Sequence, residues 1–115
     1  APFHSKLMSS ATEIMKQEIN QSNFIHPKNT IISNVTSLEA TEPNQIKELL
    51  IKQIENPVRW RESVIYMINK GVTKFVEIGP GKVLSGLVKR IDKSVTIVSI
   101  NELDDLQGVR LNDWF

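Results

Sequence analysis

The chain contains no cysteine, which excludes a disulfide framework, a thiolate metal site and a cysteine nucleophile, and permits a reducing compartment. Five glycines and five prolines among 115 residues are too few for a collagen-like or low-complexity polymer. Long apolar runs are also missing. The longest, Val64 to Ile68, has five residues, far below the roughly 18 needed to cross a bilayer. Neither sign of charge dominates: fourteen Lys and Arg against thirteen Asp and Glu leave a formal charge of +1, with no chain-wide footprint for nucleic acid or anionic lipid. The two histidines, His4 and His26, have no third ligand at metal spacing, so no metal site is expected.

What remains is ordinary globular composition, 40% apolar and 23% charged, in a length that fits one domain. The chain opens on Ala1-Pro2-Phe3-His4 rather than on Met or on a basic-then-apolar leader. The expectation is a cytoplasmic protein and a chain cut from something longer.

Apolar residues Leu7, Met8, Ala11, Ile14, Met15 and Ile19 fall three or four apart and predict a helix, with Ser5 as its cap. Thr30 to Val35 is short and β-branched and reads as a buried strand, followed by a loop from Thr36 to Glu42. Pro43 suits the first turn of a second helix, which Asn56-Pro57 ends by disfavouring helical geometry before the proline. A third helix places Trp60, Val64, Met67 and Ile68 on one face and stops at Gly71.

Lys74 to Ile78 reads as a strand, Gly79-Pro80-Gly81 as a turn, and Val83, Leu84, Leu87, Val88 and Ile91 as the buried stripe of a fourth helix. Val95 to Ile100 is a further strand, and the tail Asn101 to Phe115 is left without a structural reading. This alternation predicts an α/β fold, a parallel sheet flanked by helices.

Gly79-Pro80-Gly81-Lys82 lies between a strand and a helix, as phosphate loops do. The phosphate-loop spacing is absent, no Ser or Thr follows Lys82, and Pro80 removes an amide donor, so a structural turn is the better reading. His4 stands just before an amphipathic helix, where α/β proteins gather their sites near a sheet rim, and a base could be held there.

Four blocks in order resemble the C-terminal part of the malonyl-CoA:acyl-carrier-protein transacylase family: Phe3-His4-Ser5-x-Leu7-Met8, Ser33-Asn34-Val35, Gln53-Ile54-x-Asn56-Pro57-Val58-x-Trp60, and Val76-Glu77-Ile78-Gly79-Pro80-Gly81-Lys82-Val83-Leu84-x-Gly86-Leu87. The resemblance runs from about Pro2 to Asn101. It implies the C-terminal segment of the large, α/β-hydrolase-like acyltransferase subdomain, spanning residues 1–115 and incomplete without upstream chain. In that family a serine attacks malonyl-CoA and the malonyl ester passes to the phosphopantetheine thiol of acyl carrier protein, in fatty acid biosynthesis.

By that resemblance His4 is the base that takes the serine proton, and the main-chain carbonyl of Gln53 orients its ring. Phe3 would favour malonyl over an α-methyl branch, and Asn34 would line the pocket or else satisfy nearby backbone. Lys82, Lys89 and Arg90 could meet an acidic carrier protein or simply be solvated. The implied partners are malonyl-CoA, the carrier protein and the upstream part of the same enzyme, with no cofactor, nucleic acid or membrane.

No Gly-x-Ser-x-Gly elbow occurs in the sequence, and Ser85-Gly86 cannot replace it because Val83 stands where glycine is required. The fragment therefore lacks the nucleophile and is expected to be inactive alone. The rival readings are a non-catalytic α/β binding module and a small phosphate-binding domain built on Gly79 to Lys82.

Overall fold

A computed structural model describes residues 2–109. A 3₁₀ turn over Lys6–Met8 leads into α1 (Ser9–Gln21), followed by β1 (Ile31–Ile32), β2 (Glu39–Ala40), α2 (Pro43–Gln53), α3 (Trp60–Asn69), β3 (Lys74–Ile78), α4 (Val83–Ile91), β4 (Thr96–Ile100) and α5 (Leu103–Gly108). The contacts gather into two compact units, one ending at Tyr66 and the other starting at Met67, so the division falls inside α3. Among the described residues no helix is long and apolar enough to cross a membrane.

In the first unit α1 lies against α2. Met8, Ala11 and Ile19 are half-buried, and Thr12 is buried with its hydroxyl donating to the Met8 carbonyl at 3.1 Å. Leu7, Ile14 and Met15, expected in the same stripe, stay exposed at 79%, 65% and 44%. The first turn is 3₁₀ rather than α, with three residues per turn, which rotates Leu7 away from the stripe it would share in a continuous α-helix. Ser5 does precede that turn, yet its hydroxyl donates to the Pro2 carbonyl at 2.7 Å instead of accepting from an amide.

The expected strand from Thr30 to Val35 shortens to Ile31–Ile32 and pairs antiparallel with Glu39–Ala40, inside the stretch expected to be loop. Ser33 causes this. Its N–H donates to the Leu38 carbonyl at 3.0 Å, its carbonyl accepts from Ser37 at 2.8 Å, and its hydroxyl accepts from the Val35 N–H at 3.2 Å, so the chain turns where the strand was expected to continue. Ser37 takes a left-handed φ of 59° in that turn. Its hydroxyl donates to the Arg59 carbonyl at 3.0 Å, as does that of Ser63 at 2.8 Å, while the Arg59 N–H donates to the Asn34 carbonyl at 2.9 Å. These bonds fasten the hairpin to the start of α3, with Ser37, Ser63 and Val64 buried.

In the second unit β3 and β4 run parallel in the register Lys74 to Thr96 through Ile78 to Ile100, joined through α4. The mixed α/β class with parallel strands and flanking helices is thus the observed one, although β1 belongs to its own hairpin rather than to this sheet. Val88, Val95 and Ile100 form the buried apolar centre. Gly71, at φ 98°, ends α3 in a Schellman arrangement: its N–H donates to the Ile68 carbonyl at 2.9 Å and the Val72 N–H to that of Met67 at 3.0 Å.

Of the expected α4 stripe, Leu87, Val88 and Ile91 turn inward, whereas Val83 and Leu84 are 73% and 42% exposed. The first turn of α4 is held instead by polar bonds. Glu77, near the end of β3, accepts from the Leu84 N–H at 3.2 Å, the Ser85 N–H at 2.8 Å and the Ser85 hydroxyl at 2.5 Å, and Ser99 stands 2.8 Å behind that hydroxyl. A short helix, α5, forms in the tail with a capping box between Glu102 and Asp105. The rest of the tail lies outside the described residues.

The Ser85 hydroxyl, followed by the Ser85 and Leu84 amides, holds the Glu77 carboxyl below its ordinary value of 4.5. A lowered carboxyl contributes stability that is present above 4.5 and lost as pH falls through the folded-state value. Glu77→Gln is therefore expected to lower the urea midpoint at neutral pH and to converge with the parent as pH falls from 4.5 through the lowered folded-state value. Gly71→Ala meets no atom within 4 Å and is expected to cost about 1 kcal/mol from left-handed strain alone, read from the same denaturation curves.

Candidate active site

An α-helix leaves its last carbonyls without amide partners. At the end of α2 two of these oxygens, on Gln53 and Ile54, are taken by one residue from the start of the chain. The His4 main-chain N–H donates to the Ile54 carbonyl at 3.0 Å, and ring Nδ1 lies 2.9 Å from the Gln53 carbonyl oxygen. A carbonyl can only accept, so Nδ1 carries the proton and Nε2 is left with its lone pair. Nε2 makes no hydrogen bond among the described residues, and His4 is exposed.

His4 adopts φ 61°, a left-handed conformation that costs a non-glycine residue about 1 kcal/mol or more. The two bonds to α2 hold the backbone and the ring in place against that cost. The Gln53 side-chain nitrogen sits 3.2 Å from the same ring nitrogen and, with Nδ1 already donating, directs its own hydrogen at the Asn56 carbonyl 3.4 Å away. Asn56 in turn folds back so that Nδ2 donates to the Lys52 carbonyl at 2.6 Å.

Gln53 also lines a mostly apolar cavity of about 120 Å³ with Asn34, Ile31, Ile46, Leu49 and Leu50. Asn34 therefore shares a wall with Gln53, although the bond it makes to α3 runs through its main-chain carbonyl. Phe3 is 65% exposed and does not line this cavity. The structure thus brings His4 and Gln53 into direct contact, seats Asn34 in the neighbouring cavity and leaves Phe3 outside it.

His4 does stand just before the 3₁₀ turn that leads into α1, as the sequence implies, and its ring bonds the C-terminal end of α2 rather than a sheet rim. Ile54 and Asn56 escaped the sequence reading as parts of this cluster because one contributes a main-chain oxygen and the other a bond within its own turn. The proline after Asn56 was the available signal that carbonyls would be left open there.

The Gly79–Lys82 turn has left-handed glycines at 79 and 81, and three amides around it are already used: Gly79 donates to the Ile100 carbonyl, and Leu84 and Ser85 donate to the Glu77 carboxylate. A second anion would meet that negative charge. Lys89 donates to the carbonyls of Lys93 and Val95 at 2.9 and 3.0 Å, which ties its ammonium to the α4–β4 turn.

No protein-family model matches the chain. It is 41% identical over 112 residues to the malonyl CoA-acyl carrier protein transacylase of Staphylococcus aureus (strain COL), a match covering 97% of this chain and 36% of the relative. A crystal structure of an acyl carrier protein S-malonyltransferase from Vibrio cholerae superposes with a TM-score of 0.87 at 40% identity, covering 96% of this chain and 36% of that one. A malonyl-transacylase solved in complex with a type II polyketide acyl-carrier protein matches with a TM-score of 0.88 at 32% identity, over 97% and 36% of the two chains. The chain spans about a third of the length of the relatives it matches. In sequence and in fold alike, it is a homologue of the C-terminal part of the malonyl CoA-acyl carrier protein transacylases.

Proposed function

We propose that this chain supplies the general base of a malonyl-CoA:acyl-carrier-protein transacylase, with His4 as the base and the Gln53 main-chain carbonyl as its orienting group. The observation that carries the reading is the 2.9 Å contact between His4 Nδ1 and the Gln53 oxygen, which directs the Nε2 lone pair away from α2. Nε2 accepts the proton of a serine hydroxyl as its oxygen attacks the thioester carbonyl of malonyl-CoA. The carbon–sulfur bond breaks, Nε2 returns the proton to the departing CoA thiolate, and a malonyl seryl ester remains. The phosphopantetheine thiol of the carrier protein then gives its proton to Nε2 and attacks that ester, and the serine oxygen regains the proton. No further cofactor is required.

The serine belongs to polypeptide outside these 115 residues, since no Gly-x-Ser-x-Gly elbow occurs in the sequence. Residues 1–115 are then the C-terminal segment of the large acyltransferase subdomain, completed by upstream chain, and the setting is cytoplasmic fatty acid biosynthesis. Phe3, next to the base, narrows the acyl site against an α-methyl branch, and Asn34 lines the pocket through the cavity it shares with Gln53.

In the complete gene product, His4→Ala is expected to slow malonylation of the serine by about 10²-fold or more, followed by intact-protein mass after mixing with malonyl-CoA. Acylation at the parent rate would remove His4 from the mechanism. The isolated 115-residue chain should not turn over malonyl-CoA. His4→Gly is expected to be as inactive as His4→Ala yet about 1 kcal/mol more stable, because glycine adopts the left-handed backbone without strain; denaturation of the two variants separates the chemical loss from the structural one.

A further inference from the structure

We propose that Pro57 is a positioning residue for the base, acting by what it lacks: it has no N–H with which to occupy the Gln53 carbonyl. The inference rests on the reading of His4 given above and extends it to the residue that keeps the orienting oxygen available.

In a continuing α-helix the carbonyl of residue i accepts from the amide of residue i+4. For Gln53 that amide would belong to residue 57, which is proline. The same proline biases Asn56 away from helical geometry, so α2 stops at Gln53 with Ile54 as its cap. Of the carbonyls at this end, that of Lys52 is already supplied by the Asn56 side chain at 2.6 Å and the Glu55 N–H at 3.2 Å. Those of Gln53 and Ile54 take the two His4 donors. The Gln53 oxygen therefore has one strong donor, the imidazole, and no local amide placed to displace it.

An alanine at position 57 restores an N–H four residues after Gln53 and relaxes the constraint on Asn56. The helix can then add a bond at its end, and the ring loses the acceptor that selects its tautomer. With Nδ1 released, the proton is shared between the two ring nitrogens and the ring turns more freely, so fewer molecules present a basic Nε2 in the required direction.

The test uses the complete gene product with ¹⁵N-labelled histidine, comparing the parent, Pro57→Ala and a protein in which position 57 carries lactate, the ester analogue of alanine, which also lacks the N–H. Ring ¹⁵N shifts report the tautomer, and steady-state kinetics report kcat and KM for malonyl-CoA. The expected result is a mixed tautomer and a kcat reduced about tenfold with KM little changed in Pro57→Ala, with both properties returned toward the parent by lactate. A parent-like Nδ1–H signal in Pro57→Ala, or a lactate protein that behaves as the alanine one does, overturns the proposal. A changed tautomer with unchanged kcat upholds the effect of Pro57 on the ring and instead removes His4 as the base, so the two readings fail separately.

Discussion

The end of α2 is where the organisation of the first unit and its candidate chemistry meet. Helices end with unpartnered carbonyls, and most proteins satisfy these with water or a glycine cap. Here the acceptors of Gln53 and Ile54 receive an imidazole and a main-chain amide, respectively, from the same distant residue, His4. That pair of bonds fixes where the start of the chain crosses α2. It also sustains a left-handed backbone at His4 that would otherwise be unfavourable, and it decides which ring nitrogen is protonated.

The second unit resolves a similar problem at the opposite kind of helix end. The amides that open α4 face the Glu77 carboxylate at the end of the preceding parallel strand, with Ser85 and Ser99 completing a polar chain across to β4. A strand, glycine turn and helix of this form invites an anionic ligand when read as sequence. The chain provides its own anion instead, so the feature locks the strand–helix–strand unit together.

Regular periodicity made the second unit legible. The alternation from Lys74 to Ile100 depends on local pattern and on Gly71, Gly79 and Gly81, each of which takes a left-handed conformation. The hairpin was not legible, because two-residue strands carry no period and the Ser33 and Ser37 bonds that shape it are three-dimensional facts. Leu7, Ile14, Val83 and Leu84 show the complementary limit: helical spacing identifies an apolar face without stating that these residues are covered within this chain. Of the candidate site, His4 was marked both by its place before an amphipathic helix and by motif resemblance, whereas Gln53 came from the resemblance alone. The group at position 53 that meets the imidazole is a backbone oxygen, present in every amino acid, so the side chain written there does not announce it. The informative letter is the proline four places on.

An orienting oxygen drawn from the backbone differs in kind from the aspartate of a familiar hydrolytic triad. It has no proton to gain, so acidity that would neutralise a carboxylate leaves it an acceptor. It also survives exchange of the residue that bears it, provided the helix still ends in the same place. On the role proposed for His4, heritable change reaches the ring more readily by lengthening α2 than by altering the chemical character of position 53, so helix length would bear on catalysis as directly as a side chain does.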